Sequence, residues 1–156
     1  GWAVSYIPLC ADPEDFTFLV RHEALGHAFA KLADENSSEA NGEIPSSLIS
    51  DIKAKEKYGW WSNVDFTSDP SAVKWAPFIS DERYASERVG VYKGGWGYWT
   101  GIWTPSWRSI MKGNSDAFNA PSRQAIWNRV MSLSNGPDWT PSYEAFVEYD
   151  SGTTER

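Results

Sequence analysis

The chain has 156 residues, a mass of 17.5 kDa, and 14 Lys+Arg against 21 Asp+Glu, for a net charge of -7. That length predicts one domain; the acidic balance excludes the basic face of a nucleic-acid binder, and no apolar run approaches the roughly 18 residues a membrane helix needs. A single cysteine, Cys10, excludes an intramolecular disulfide framework and any cysteine-rich zinc site.

The chain begins at Gly1 with no leader pattern, which predicts a removed leader or excision from a longer protein. Trp2 to Leu9, rich in β-branched and aromatic residues, predicts a β-strand. The acidic turn Asp12-Pro13-Glu14-Asp15 suits a helix N-terminus. Helical spacing runs from Phe16 to Ala33, with Phe18, Leu19, Leu25, Phe29 and Leu32 as core positions. Asn36 to Pro45 is loop by composition, and Ser46-Ser47 predicts the cap of a second helix to about Lys57. Asn63 to Phe66 reads as a short strand or extended loop. Asp69-Pro70 predicts a capped helix through Phe78. From Val89 to Trp107, strand-like segments are broken by glycines, with a hairpin turn expected at Gly94-Gly95. Asn119 to Ser122 opens the last predicted helix, which Gly136-Pro137 stops, and Ser151 to Arg156 reads as a frayed end.

The only two histidines lie in His22-Glu23-Ala24-Leu25-Gly26-His27. Zinc peptidases need two neutral imidazoles on one helical face and a carboxylate beside them as general base. Their usual histidine spacing is i, i+4, about 40° apart on a helix; here it is i, i+5, about 140° apart. Two such rings cannot reach one ion from a straight α-helix. A π-bulge absorbs the extra residue, and Gly26, lacking a Cβ, tolerates a distorted turn. The competing readings are a regular helix with Glu23 and His27 on one face, and two surface histidines without metal.

The run from His22 to Glu35 resembles the active-site helix of the IgA-peptidase family of zinc metallopeptidases. Members carry H-E-x-x-H or H-E-x-x-x-H followed by G/A-x-L-A-D-E-Y. The longer spacing also occurs in the dipeptidyl-peptidase-III family, which matches only this short motif. Asn63 to Thr67, Lys74 to Phe78, Gly90 to Gly95, Ser109-Ile110-Met111 and Phe118 to Ile126 also resemble the first family, so the likeness spans roughly Ser5 to Val130. It implies an α+β fold of the zincin, metzincin-like type, with Met111 as the methionine of the turn beneath the zinc. Only about 20 residues precede the zinc helix, where metzincins place several strands and a helix. A catalytic domain lacking part of its N-terminal sheet, cut from a longer secreted, periplasmic or cell-surface bacterial protein, is therefore expected. Two departures stand out: Asn36 replaces the family's Tyr, and Lys112, Gly113 and Asn114 follow Met111 where many metzincins have an oxyanion-donating Tyr. Tyr92 and Tyr98 are the nearest candidates for that task.

With no third histidine, the remaining zinc ligand must be a carboxylate or an unusual donor. Metzincins recruit theirs just past the helix end, so Asp34 is expected, with Glu35 the alternate and Glu56 a distant one. The function implied is hydrolysis of peptide bonds in a protein or peptide substrate, with zinc on His22, His27 and Asp34 and Glu23 as general base. The alternative is non-catalytic: a carbohydrate-binding module using Trp96, Tyr98, Trp99, Trp103 and Trp107, or a pseudo-peptidase that holds metal. Oligomeric state is left open.

Overall fold

Asp12 caps the first helix, its side chain accepting from the Glu14 N–H at 2.8 Å, and Pro13 takes the first helical position. The computed structural model describes residues 4–9, 12–115 and 117–154. Helix α1 (Pro13–Leu19) continues without a break into a π-helix, Val20–Phe29. That helix ends at Phe29, four residues before the predicted limit, with Ala30 as its cap. Lys31 turns left-handed (φ 59°), and the Leu32 N–H reaches back to the Gly26 carbonyl at 3.0 Å.

The expected leading strand does not form: residues 4–9 are irregular, and Tyr6 and Leu9 stand exposed. A strand exists through its cross-strand partner, and the described residues place none beside this segment. Trp2, Ala3 and Cys10 lie outside the described residues.

Helix α2 (Ser46–Glu56) follows the predicted loop, with Pro45 rather than a serine at its cap. Asp69 caps only a turn, its side chain accepting from the Ser71 N–H at 2.9 Å. Helix α3 (Ala76–Ser80) starts later than predicted. The buried Trp75, whose indole donates to the Gly90 carbonyl at 2.7 Å, keeps a non-helical backbone just before it.

Strands β1 (Tyr92–Gly95) and β2 (Tyr98–Thr104) form an antiparallel hairpin. Its turn falls at Trp96-Gly97, not at Gly94-Gly95. Both turn residues have positive φ (52° and 78°), as a two-residue hairpin loop requires. Gly94 instead marks an irregular register, and a Cβ there would lie 2.5 Å from Ser37 Oγ. Single bridges extend the pair: Ser37 to Gly97, Glu43 to Thr100, and Asp65 to Trp103.

Helix α4 (Ala120–Asn135) begins and ends as predicted, with Asn119 accepting from the Ser122 N–H at 3.0 Å and Gly136 at the stop. It is not the last. Helix α5 (Tyr143–Thr154) was not expected, and it runs through residues 151–154 of the stretch expected to fray; it buries Phe146 and Val147 against Trp75, Phe78, Tyr84 and Trp127. Arg123 joins α4 to α5 and to the turn before β1, with ion pairs of 2.6 Å to both Asp150 and Glu87. The whole is α+β at the coarse level: helices around one small antiparallel sheet. Among the described residues no helix is long and apolar enough to cross a membrane. A buried cluster of Ala30, Leu32, Ile110, Met111 and Phe118 lies against the π-helix and supports what it carries.

Candidate metal centre

A backbone ladder that closes every five residues puts positions i and i+5 on one face. The π-helix therefore brings His22 and His27 together. Their Nε2 atoms are 3.2 Å apart and the rings meet edge to face at 4.8 Å. The regular-helix reading fails, and the single bulge expected is a ten-residue run. Gly26 matters for a different reason from the one expected. A Cβ there would lie 2.4 Å from Met111 Sδ, so the residue is small because the buried methionine packs under it.

The turn that holds Met111 (Ile110–Lys112) does more than support Gly26. The Ile110 carbonyl accepts from His22 Nδ1 at 2.8 Å, and the Met111 carbonyl accepts from the Glu35 N–H at 2.7 Å. His27 Nδ1 donates to the Leu32 carbonyl at 2.8 Å, a contact made possible by the reversal at Lys31. A carbonyl only accepts, so both Nδ1 atoms carry the hydrogen, and each neutral ring presents Nε2 as a bare lone pair. Phe18 stacks on His22 with ring centroids 5.7 Å apart.

Asp34 brings the third atom. Its Oδ1 lies 3.2 Å from His22 Nε2 and 3.3 Å from His27 Nε2. The backbone around it is pinned on several sides. The Asp34 carbonyl accepts from the Trp96 N–H at the hairpin tip (2.9 Å). Asn63 brackets Ala33, accepting from its N–H at 2.8 Å and donating to its carbonyl at 2.9 Å. The Glu35 bond to Met111 closes the other side.

While both rings are neutral, three acceptor lone pairs thus converge without a hydrogen to share, an arrangement that either a proton or a cation relieves. The electrostatics express the same demand for positive charge. The hydrogen bond to Asp34 raises the His22 pKa above its ordinary value. Burial alone would lower that of His27, but the Asp34 carboxylate, with help from Glu23, raises it. Burial would likewise raise Asp34, yet its bonds to the two rings hold it well below the usual carboxylate range. The donor set fits zinc. Two imidazoles and a carboxylate are its ordinary ligands, and tetrahedral bonds of about 2.0–2.1 Å set ligand atoms about 3.3 Å apart, matching the observed triangle. Among the described residues these three form the one group of this kind.

The other predicted residues are placed as follows. Glu35 is turned away from the rings and fully buried, whereas the Asp34 side chain is 41% exposed. Both Glu35 oxygens are occupied, by Asn63 Nδ2 at 2.9 Å and Asn119 Nδ2 at 3.0 Å. Burial pushes its pKa up. Glu56 is paired with Lys74 at 2.6 Å. Glu35 and Glu56 are therefore not part of the triangle. Glu23 sits beside His22 on the π-helix, partly buried, its backbone carbonyl accepting from Ser5 Oγ at 3.1 Å. The Tyr92 hydroxyl donates to the Arg88 carbonyl at 2.8 Å, and Tyr98 packs against the cluster around Ile44, Val64 and Ile102. Trp96 joins Tyr98 there and meets Trp61 edge to face at 4.9 Å, while Trp107 stays exposed. Sequence reasoning missed the supporting roles of Asn63, Asn119 and the Ile110 carbonyl. Asn119 gave a signal only as a helix cap.

No protein-family model matches the chain, and no curated protein matches it.

Proposed function

We propose that the chain is a zinc-dependent peptidase of metzincin-like fold, akin to the IgA-peptidase family that its zinc-helix motif resembles. The observation that carries the reading is the triangle of His22 Nε2, His27 Nε2 and Asp34 Oδ1, with edges of 3.2, 3.2 and 3.3 Å. When bound, zinc supplies Lewis acidity that makes water a nucleophile near neutral pH and polarises a peptide carbonyl. The chain's own residues do the rest. The carbonyls of Ile110 and Leu32 fix both imidazoles in the tautomer that presents Nε2. Asp34 brings the negative charge that favours a dication. Glu23, next to His22 and outside the triangle, takes a proton on its carboxylate and returns it to the departing amine. Met111, beneath Gly26, holds the π-helix against the turn that orients His22.

The test combines metal content with hydrolysis. Protein purified without chelator should hold about one zinc per chain, and Glu23→Gln should abolish cleavage of a casein digest while zinc content stays the same. Loss of zinc in that variant would make Glu23 a ligand. Absence of any transition metal, with no uptake on titration, would overturn the reading. Full zinc occupancy without hydrolysis by the unaltered chain would favour the pseudo-peptidase.

A further inference from the structure

A cleft of about 290 Å³ opens beyond the end of the π-helix, and none of His22, His27 and Asp34 lines it. Its walls come from three places. Lys31 follows the helix, Trp60 and Ser62 lie in the turn after α2, and Asn128 and Arg129 lie on α4, with Trp139 beyond. Three features of this cleft bear on what it could hold.

The first is charge. Lys31 and Arg129 lie close enough for the arginine to depress the lysine's pKa, with burial the larger cause. Neither has an ion-pair partner among the described residues, and no acid lines the cleft, in a chain of net charge -7. Two cations brought together without an acid call for an anion. The second is hydrogen bonding. Ser62 Oγ and Asn128 Oδ1 are buried side-chain atoms with no hydrogen-bond partner, and both belong to residues of this cleft. An amide oxygen needs a donor, which a bare carboxylate does not provide. The third is the presence of aromatic rings. Trp60 and Trp139 both line the cleft; Lys31 Nζ lies 5.3 Å from the Trp60 ring centre, and Trp139 is braced edge to face by Trp127.

We propose that this cleft binds a carboxylate-bearing sugar, such as an acidic residue of a glycan. The carboxylate answers Lys31 and Arg129. The hydroxyls, which both donate and accept, satisfy Asn128 Oδ1 and Ser62 Oγ once these side chains turn toward the cleft. The apolar face of the pyranose lies against a tryptophan. An acidic peptide shares the charge but lacks the ring of hydroxyls, and a neutral sugar shares the hydroxyls but lacks the charge.

Isothermal titration of the full chain with D-glucuronate, N-acetylneuraminate, D-glucose and triglutamate separates these. At least one sugar acid should saturate one site. D-glucose and triglutamate should bind at least about tenfold more weakly, since a charge-assisted hydrogen bond is worth that much or more. Arg129 is exposed, so Arg129→Gln should keep the fold and the zinc content while weakening the sugar acid about tenfold; Trp60→Ala should weaken it as well. Saturation by neither sugar acid, equal binding of D-glucose, tighter binding of triglutamate, or indifference to Arg129→Gln would each overturn the proposal.

Discussion

At His22, His27 and Asp34, three lone-pair atoms stand within 3.3 Å of one another, a group that could hold a cation. Past the helix end, Lys31 and Arg129 face one cleft and need an anion. The two regions differ in how they are built. In the first, each imidazole is tied through its second nitrogen to a backbone carbonyl, and Asp34 sits in a stretch of chain pinned by Trp96, Asn63 and Met111. In the second, the polar groups are held by ordinary side-chain packing on α4 and the turn after α2. A metal with fixed bond lengths demands the first kind of construction; a hydroxylated ligand tolerates the second. Damage to the triangle should therefore come from its scaffold as well as from its ligands. Damage to the cleft should come from its lining alone.

The largest expected effect comes from Asp34→Asn, which keeps an oxygen in place but removes the charge. Loss of a supporting contact to a ligand already costs 10–100-fold in metal affinity, so this variant should weaken zinc by at least about 100-fold, read by competition with a chromophoric chelator. Sugar-acid titration of the same protein should be unchanged. Zinc retained at full affinity would leave the triangle without its third ligand and break the comparison at its first term.

A smaller effect, transmitted through the scaffold, is expected at Gly26. The Cβ of any other residue collides with Met111 Sδ, so Gly26→Val should destabilise by about 1–3 kcal/mol through overpacking, measured by urea unfolding. Zinc should weaken too, because the displaced turn carries the Ile110 carbonyl that orients His22. Adding Met111→Ala to Gly26→Val should recover part of the loss, since contacting residues are not additive. Independent losses would mean that the methionine does not set the need for glycine.

What the sequence revealed of this arrangement follows the range of the interactions. Asn119 and Gly136 marked both ends of α4 because caps are decided within a few residues. The five-residue histidine spacing conflicted with one shared ion on an α-helix, and that conditional argument pointed to the wider turn found at Val20–Phe29. Other features depended on distant neighbours. Residues 4–9 have the composition of a strand without a partner to pair with. Gly26 is needed by a methionine far along the chain. Asp34 and Glu35 are adjacent acids that composition cannot distinguish; only the fold sends one to the rings and the other into the amides of Asn63 and Asn119. Helix α5 did carry a local signal in Tyr143, Phe146 and Val147 at helical spacing, beyond the glycine and proline that stop α4.

The smallest effect is expected at the residue where the two regions meet. Lys31 is left-handed (φ 59°), and this reversal allows the Leu32 N–H to reach the Gly26 carbonyl and the Leu32 carbonyl to receive His27 Nδ1. A side chain in this conformation is strained by about 1–2 kcal/mol, which glycine relieves. Glycine also gains freedom in the unfolded chain, which costs about 0.4–1 kcal/mol. Lys31→Gly should therefore stabilise by about 0–1.6 kcal/mol, as read by thermal unfolding. Zinc affinity should hold, because the reversal that serves His27 is kept. Sugar-acid binding should weaken, because one of the two cations is gone. A variant that lost zinc and sugar acid together would show that the lysine side chain, and not only its backbone, holds the helix end in place, and the two regions would then be one.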